Sequence, residues 1–154
     1  MRTAPRLSYN GAVFHVSKEI HFCYGHRLLN YAGKCRHFHG HNGKVEVQLS
    51  AEALDDRGMV YDFGEIKEVL QTWVDQTLDH RMLLHEKDPL RAALEKAGEP
   101  VYILKDNPTA ENIARLIYET AQAKGLPVTA VTLWETPNSF AIYSQFKPHS
   151  DSDD

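Results

Sequence analysis

The chain has 154 residues, 42% hydrophobic and 25% charged, with a formal net charge of −4, the balance of one globular domain large enough to bury a core. No apolar run approaches the roughly 20 residues of a membrane span, Met1–Arg6 leads into no signal-like apolar segment, and the acidic balance speaks against a nucleic-acid binder, whose footprint is basic. A cytoplasmic protein without membrane or nucleic-acid partners is expected. Its two cysteines, Cys23 and Cys35, make no disulfide framework and read as one packing residue and one reactive thiol.

Residues 13–22 read as a strand, and Lys44-Val45-Glu46-Val47-Gln48-Leu49-Ser50 alternates as its antiparallel partner would. A long loop between them is expected to carry Cys35 and a set of histidines. Asp55-Asp56-Arg57-Gly58 is a turn. Beyond it, Phe63, Ile66, Val69, Leu70, Trp73, Val74 and Leu78 fall at helical spacing, with Asp62 and Glu65 suited to the helix N-terminus. Asp88-Pro89 and Gly98 bracket a smaller, inserted helix. Asn107-Pro108-Thr109-Ala110-Glu111-Asn112 opens another that runs to about residue 124, with Ile113, Leu116, Ile117 and Thr120 on one face. Residues 128–135 and 140–146 form a closing hairpin around Pro137-Asn138-Ser139. The order, ββααββ with a small helical insertion, predicts an α+β fold: an antiparallel four-stranded sheet with helices on one face. Residues 1–12 read as a flexible extension, 13–147 as a single catalytic domain and 148–154 as an acidic tail.

Cys35-Arg36-His37-Phe38-His39-Gly40-His41-Asn42 places a thiol and three imidazoles within seven residues, a density that metal chemistry explains and structure does not require. If the segment is extended, His37, His39 and His41 face one way, neighbours about 6.6 Å apart and the outer pair about 13 Å. One zinc, with bonds of about 2.0 to 2.1 Å to imidazole nitrogen, joins neighbours more readily than the outer pair. His39 and His41 are therefore the expected ligands, with His26 as third. Three neutral histidines leave a fourth position for water or substrate, the pattern of a catalytic zinc. Cys35 stands beside cationic Arg36 and the presumed metal, which favours a thiolate over a small buried hydrophobe. Arg27, Lys34, Arg36 and Lys44 surround the motif, as phosphate contacts or as a solvated loop.

Three more segments offer chemistry, each beside a plainer reading. In Leu78-Asp79-His80, a carboxylate orienting His80 would suit it to acid–base work; a helix-terminal histidine complementing the dipole is the commoner case. Glu135, at a strand end, can accept two hydrogen bonds from an amidine-like edge such as guanine or a pterin presents, or stand exposed in a turn. Thr109 and Glu111 resemble a capping arrangement.

Six segments in this order resemble the 6-pyruvoyl-tetrahydropterin synthase and 6-carboxy-tetrahydropterin synthase family. They are His26-Arg27-Leu28, Cys35-x-x-x-His39-Gly40-His41-Asn42, Gly58-Met59-Val60-Tyr61-Asp62-Phe63, Leu78-Asp79-His80, Pro108-Thr109-Ala110-Glu111-Asn112 and Trp134-Glu135-Thr136. The resemblance implies a tunnelling fold and a homo-oligomer with active sites between subunits. It makes His26, His39 and His41 the zinc ligands and Cys35, Asp79 and His80 the proton-transfer groups. Glu135 would anchor the pterin, helped by Thr109 and Glu111, and the implied substrate is 7,8-dihydroneopterin triphosphate. Cys35 lies four residues before His39, the spacing of the queuosine-pathway branch that makes 6-carboxytetrahydropterin, acetaldehyde and triphosphate. The alternatives are a 6-pyruvoyl-forming synthase and a pterin- or metal-binding module without catalysis; the branch that typically carries Glu near the cysteine position is disfavoured. The chain departs from the family pattern at Tyr24-Gly25, where small residues usually stand, at Leu84, and in a longer connection over residues 85–104.

Overall fold

The computed structural model describes residues 12–145. The extension expected over residues 1–12, save Ala12, and the tail over 148–154 lie outside them. Strands β1 (Phe14–His26) and β2 (His39–Ala51) pair antiparallel along their whole length. Helix α1 (Phe63–Ile66) passes through a π-helical turn (Lys67–Gln71) into α2 (Thr72–Thr77). Then follow β3 (Arg81–His85), α3 (Arg91–Lys96), β4 (Val101–Leu104), α4 (Ala110–Ala123), β5 (Val128–Thr136) and β6 (Ser139–Ser144).

The sheet has six strands in the order β4-β3-β1-β2-β5-β6. Four of them, β1, β2, β5 and β6, form the expected antiparallel meander. The expectation of a purely antiparallel four-stranded sheet is corrected by β3 and β4, which add in parallel beside β1. Both are short. Met82-Leu83-Leu84 and Val101-Tyr102-Ile103-Leu104 are continuous apolar runs, which parallel strands show because both faces are covered and which periodicity cannot separate from helix. Thus the connection over 85–104 contributes a strand as well as a helix.

Helices cover one face, as expected. Ile66, Leu70, Val74 and Leu78 are fully buried, as are Ile113, Ala114, Ile117 and Ala121 of α4. They pack on Ile20, Val45, Val47, Leu49, Val131 and Leu133 of the sheet. The buried residues recur every fourth position through the π-turn, so Val69 and Trp73, expected on the core face, are only half-buried, and Phe63, expected there too, is exposed. Asp62 Oδ1 accepts the Gly64 N–H at 2.7 Å and Thr109 Oγ1 the Asn112 N–H at 3.2 Å, capping α1 and α4. The opposite face carries Glu19, His21 and Cys23, all exposed. Cys23 is therefore no packing residue; its thiol donates to Asn42 Oδ1 at 3.0 Å.

The main correction near the site concerns strand length. β1 continues to His26 and β2 begins at His39, so the histidines belong to the sheet and the loop is only residues 27–38. Gly40 makes this possible, because a Cβ there would stand 2.9 Å from the Tyr24 carbonyl oxygen of the neighbouring strand.

Candidate metal centre and active site

The β1–β2 register sets His26 opposite His39, and Tyr24 opposite His41. Their side chains meet at the end of the helix-covered face. Imidazole centroids are 4.5 Å apart for His26 and His39, 5.1 Å for His26 and His41, and 5.3 Å for His39 and His41. One ligand-capable atom from each lies within 4.8 Å of the others.

Hydrogen bonds decide which nitrogens are offered. His26 Nδ1 lies 2.6 Å from the Pro108 carbonyl oxygen. A carbonyl only accepts, so Nδ1 carries the proton and Nε2 presents its lone pair. That Nε2 is buried and has no hydrogen-bond partner, an orphan of the kind a metal satisfies. His39 follows the same rule, its Nδ1 donating to the His37 carbonyl at 2.8 Å. Burial pushes the His26 pKa down, with His39 and His41 adding to this and Pro108 and Glu135 opposing it. The neutral, ligating form is favoured, and the three residues fit a divalent cation by donor type. His37 stays outside the group, exposed, its Nε2 accepting from Arg36 Nε at 3.2 Å.

Cys35 sits in a 3₁₀ turn (Lys34–Arg36) and lines a cavity of about 330 Å³ together with His26, Thr109, Glu111 and Glu135. Two clamps hold its loop. The Leu28 N–H donates to the Cys35 carbonyl at 2.8 Å. Asn107 pairs with Leu29 like a strand, accepting its N–H at 2.7 Å and donating to its carbonyl at 2.8 Å. Because Asn107 precedes Pro108, the residue that orients His26, one segment positions both the thiol loop and a metal ligand.

Arg27 is committed to structure. Its Nε and Nη2 donate to the two oxygens of Asp88 at 2.7 and 2.8 Å, and the Asp88 side chain is fully buried. Burial pushes the Asp88 pKa up, but the hydrogen bonds from Arg27 and the Leu90 amide, with the Arg27 charge, outweigh it and leave it below the usual carboxylate range. This corrects the reading of Arg27 as a phosphate contact. Lys44, whose Nζ lies 5.0 Å from the Trp134 ring centroid, also pairs with Glu19 and Glu46.

Asp79 and His80 do touch: His80 Nδ1 lies 2.8 Å from Asp79 Oδ2, while Asp79 Oδ1 accepts the Cys23 N–H at 2.8 Å. Partial burial pushes the Asp79 pKa up, yet the Cys23 amide and His80 prevail and hold it below the ordinary value. His80 has φ +55° and its N–H donates to the Cys23 carbonyl at 2.7 Å, so the dyad is pinned to β1. His80 lines a second cavity, of about 690 Å³, with Cys23, Asn42, His39 and His41. Cys35 and His80 thus line different cavities within one chain.

Glu135, near the end of β5, faces the histidines. Its Oε1 accepts the Tyr24 O–H at 3.0 Å and stands 3.8 Å from His26 Nε2 and 4.0 Å from His41 Nε2. Thr109 is an N-cap, and Glu111 lies exposed in the first turn of α4. Sequence reasoning missed four residues that build this site: Tyr24, Asp88, Asn107 and Pro108. The dipeptides Asp88-Pro89 and Asn107-Pro108 carried local signals, each read there as a helix start.

The sequence profile of the 6-pyruvoyl tetrahydropterin synthase family matches residues 15–145. A 6-carboxy-5,6,7,8-tetrahydropterin synthase of Rickettsia bellii is 39% identical over 131 residues, spanning 80% of this chain and 95% of the relative. The enzyme of that name from Haemophilus influenzae is 29% identical over 141 residues, 86% of this chain and all of the relative. Among solved structures, an uncharacterized protein of Wolinella succinogenes superposes with TM-score 0.73 at 28% identity, covering 88% of this chain and 100% of its own. The 6-pyruvoyl tetrahydropterin synthase of Caenorhabditis elegans gives 0.65 at 25% identity, covering 89% and 99%.

Proposed function

The chain belongs to the 6-pyruvoyl tetrahydropterin synthase family, and from that premise we propose that it is a zinc-dependent 6-carboxy-5,6,7,8-tetrahydropterin synthase. The proposed reaction, a lyase step of queuosine biosynthesis in the cytoplasm, converts 7,8-dihydroneopterin triphosphate and water to 6-carboxytetrahydropterin, acetaldehyde and triphosphate. Relatives at 36–39% identity carry that name, and Cys35 stands four residues before His39 as in that branch. The observation that carries the reading is the His26 Nε2 orphan, grouped with His39 and His41 and bordering the Cys35 cavity.

His26, His39 and His41 would hold the metal, which supplies Lewis-acid polarisation of the substrate side chain. Zinc is the family's metal, although three histidines also suit other divalent ions. Glu135 accepts hydrogen bonds from the amidine-like edge of the pterin, with Thr109 and Glu111 at the cavity wall. Cys35, as thiolate, takes a proton from a side-chain carbon. His80, oriented through Nδ1 by Asp79, carries the other proton on its remaining nitrogen. A homo-oligomer with its sites between subunits, as in the family resemblance, would set the Cys35 cavity of one chain against the His80 cavity of another.

The test is incubation of the zinc-loaded protein with 7,8-dihydroneopterin triphosphate, with products read by mass spectrometry and acetaldehyde trapped. A 6-carboxy product with acetaldehyde is expected. A 6-pyruvoyl product without acetaldehyde would move the chain to the other branch, and unchanged substrate would leave a binding module.

A further inference from the structure

Tyr24 takes no part in the chemistry above, yet it is built into the centre. It is 3% exposed. Its ring stacks on Phe22 at 5.1 Å and lies 5.3 and 5.7 Å from the imidazoles of His26 and His41. Gly43, facing Phe22 across the β1–β2 ladder, leaves it room: a Cβ there would come within 3.0 Å of Tyr24 Cε1. So confined, the phenol reaches Glu135 Oε1 at 3.0 Å. A carboxylate only accepts, so the phenol O–H is the donor in this bond.

The oxygen it engages is the one that approaches the histidines. Glu135 Oε1 stands 3.8 and 4.0 Å from Nε2 of His26 and His41. A carboxylate so placed is a ready fourth ligand, and a fourth protein ligand is what separates a closed structural zinc site from an open catalytic one. Among the described residues no protein donor lies within hydrogen-bonding distance of the other oxygen, Oε2.

We propose that Tyr24 is a positioning residue that holds Glu135 off the three-histidine centre, keeping the fourth coordination position open and the carboxylate turned toward the pterin. This rests on the reading of His26, His39 and His41 as the metal centre. A tyrosine merely satisfying its own buried hydroxyl would leave coordination untouched when the hydroxyl is removed.

The experiment replaces zinc with Co²⁺ and titrates azide into the full-length protein, following the visible d–d bands. Wild type is expected to bind azide at the open position. Tyr24→Phe keeps the ring and frees the carboxylate, and its azide affinity is expected to fall at least tenfold. Tyr24→Phe/Glu135→Gln, with a poorly ligating amide, is expected to recover to within about threefold of wild type. Unchanged azide affinity in Tyr24→Phe, a double variant that stays blocked, or a wild-type cobalt protein indifferent to azide each overturns the proposal. A chain that takes up no cobalt overturns the centre itself and this role with it. No pterin enters the measurement, so failure of the proposed reaction would appear separately, as a wild type that binds azide yet leaves 7,8-dihydroneopterin triphosphate unchanged.

Discussion

At the scale of single residues, the site divides into side chains with a visible sequence signal and side chains without one. His39-Gly40-His41 and the nearby Cys35 are dense enough to read from the chain, and alternation along a strand puts both histidines on one face. Tyr24 and Pro108 were illegible because each acts across the fold: Tyr24 on Glu135, 111 positions away, and the Pro108 carbonyl on His26, 82 positions away. Only the tertiary register creates such contacts. Cys35 lines the cavity but is not one of the three grouped ligands, so Cys35→Ala should abolish turnover while the purified protein retains its zinc, measured by elemental analysis. Zinc loss, or turnover within tenfold of wild type, would remove Cys35 from its proposed role.

At the scale of elements, the meander and the helices were legible because alternation and helical spacing run over many residues. β3 and β4 were not, being five and four residues long, with apolar runs, Met82-Leu83-Leu84 and Val101-Tyr102-Ile103-Leu104, that do not alternate. The helix expected to begin at Asp88-Pro89 starts instead at Arg91, because the Asp88 carboxylate is taken by Arg27 as well as by the Leu90 amide. That buried pair ties the loop after β1 to the start of the inserted segment. Removing one partner of a buried pair costs about 3 kcal/mol, and Asp88→Asn should lower stability by roughly that order. The folded-state pKa of Asp88 is depressed, so its stabilisation is fully present above the unfolded value of about 3.9 and is lost as pH falls through the folded value. Denaturant melts should therefore separate wild type from Asp88→Asn at pH 7, and the gap should narrow as pH falls below about 3.9. A gap that persists undiminished in acid would show that the ion pair is not its source.

At the scale of the molecule, the three-histidine group stands between two cavities, His26 lining that of Cys35 and His39 and His41 that of His80. The cavity of Cys35 and the cavity of His80 have no lining residue in common. Among the described residues the sheet ends in two edges, β4 and β6, and β6 presents Phe140 and Ile142 at 50% and 58% exposure. Neither separation nor edges could be read from sequence, since both depend on how far the sheet extends. If subunits share sites, Cys35→Ala and His80→Ala chains, each inactive alone, should regain turnover when unfolded and refolded together. Mixed assemblies that stay inactive would place all proton transfer within one chain.

The proposed reaction depends on a metal held by the three-histidine group. The most direct measurement strips the protein with a chelator and follows acetaldehyde formation from 7,8-dihydroneopterin triphosphate as zinc is returned. Activity should vanish on stripping and rise linearly to a plateau at one zinc per chain, with no recovery in His26→Ala; turnover that survives stripping, or that returns equally in His26→Ala, would contradict the account.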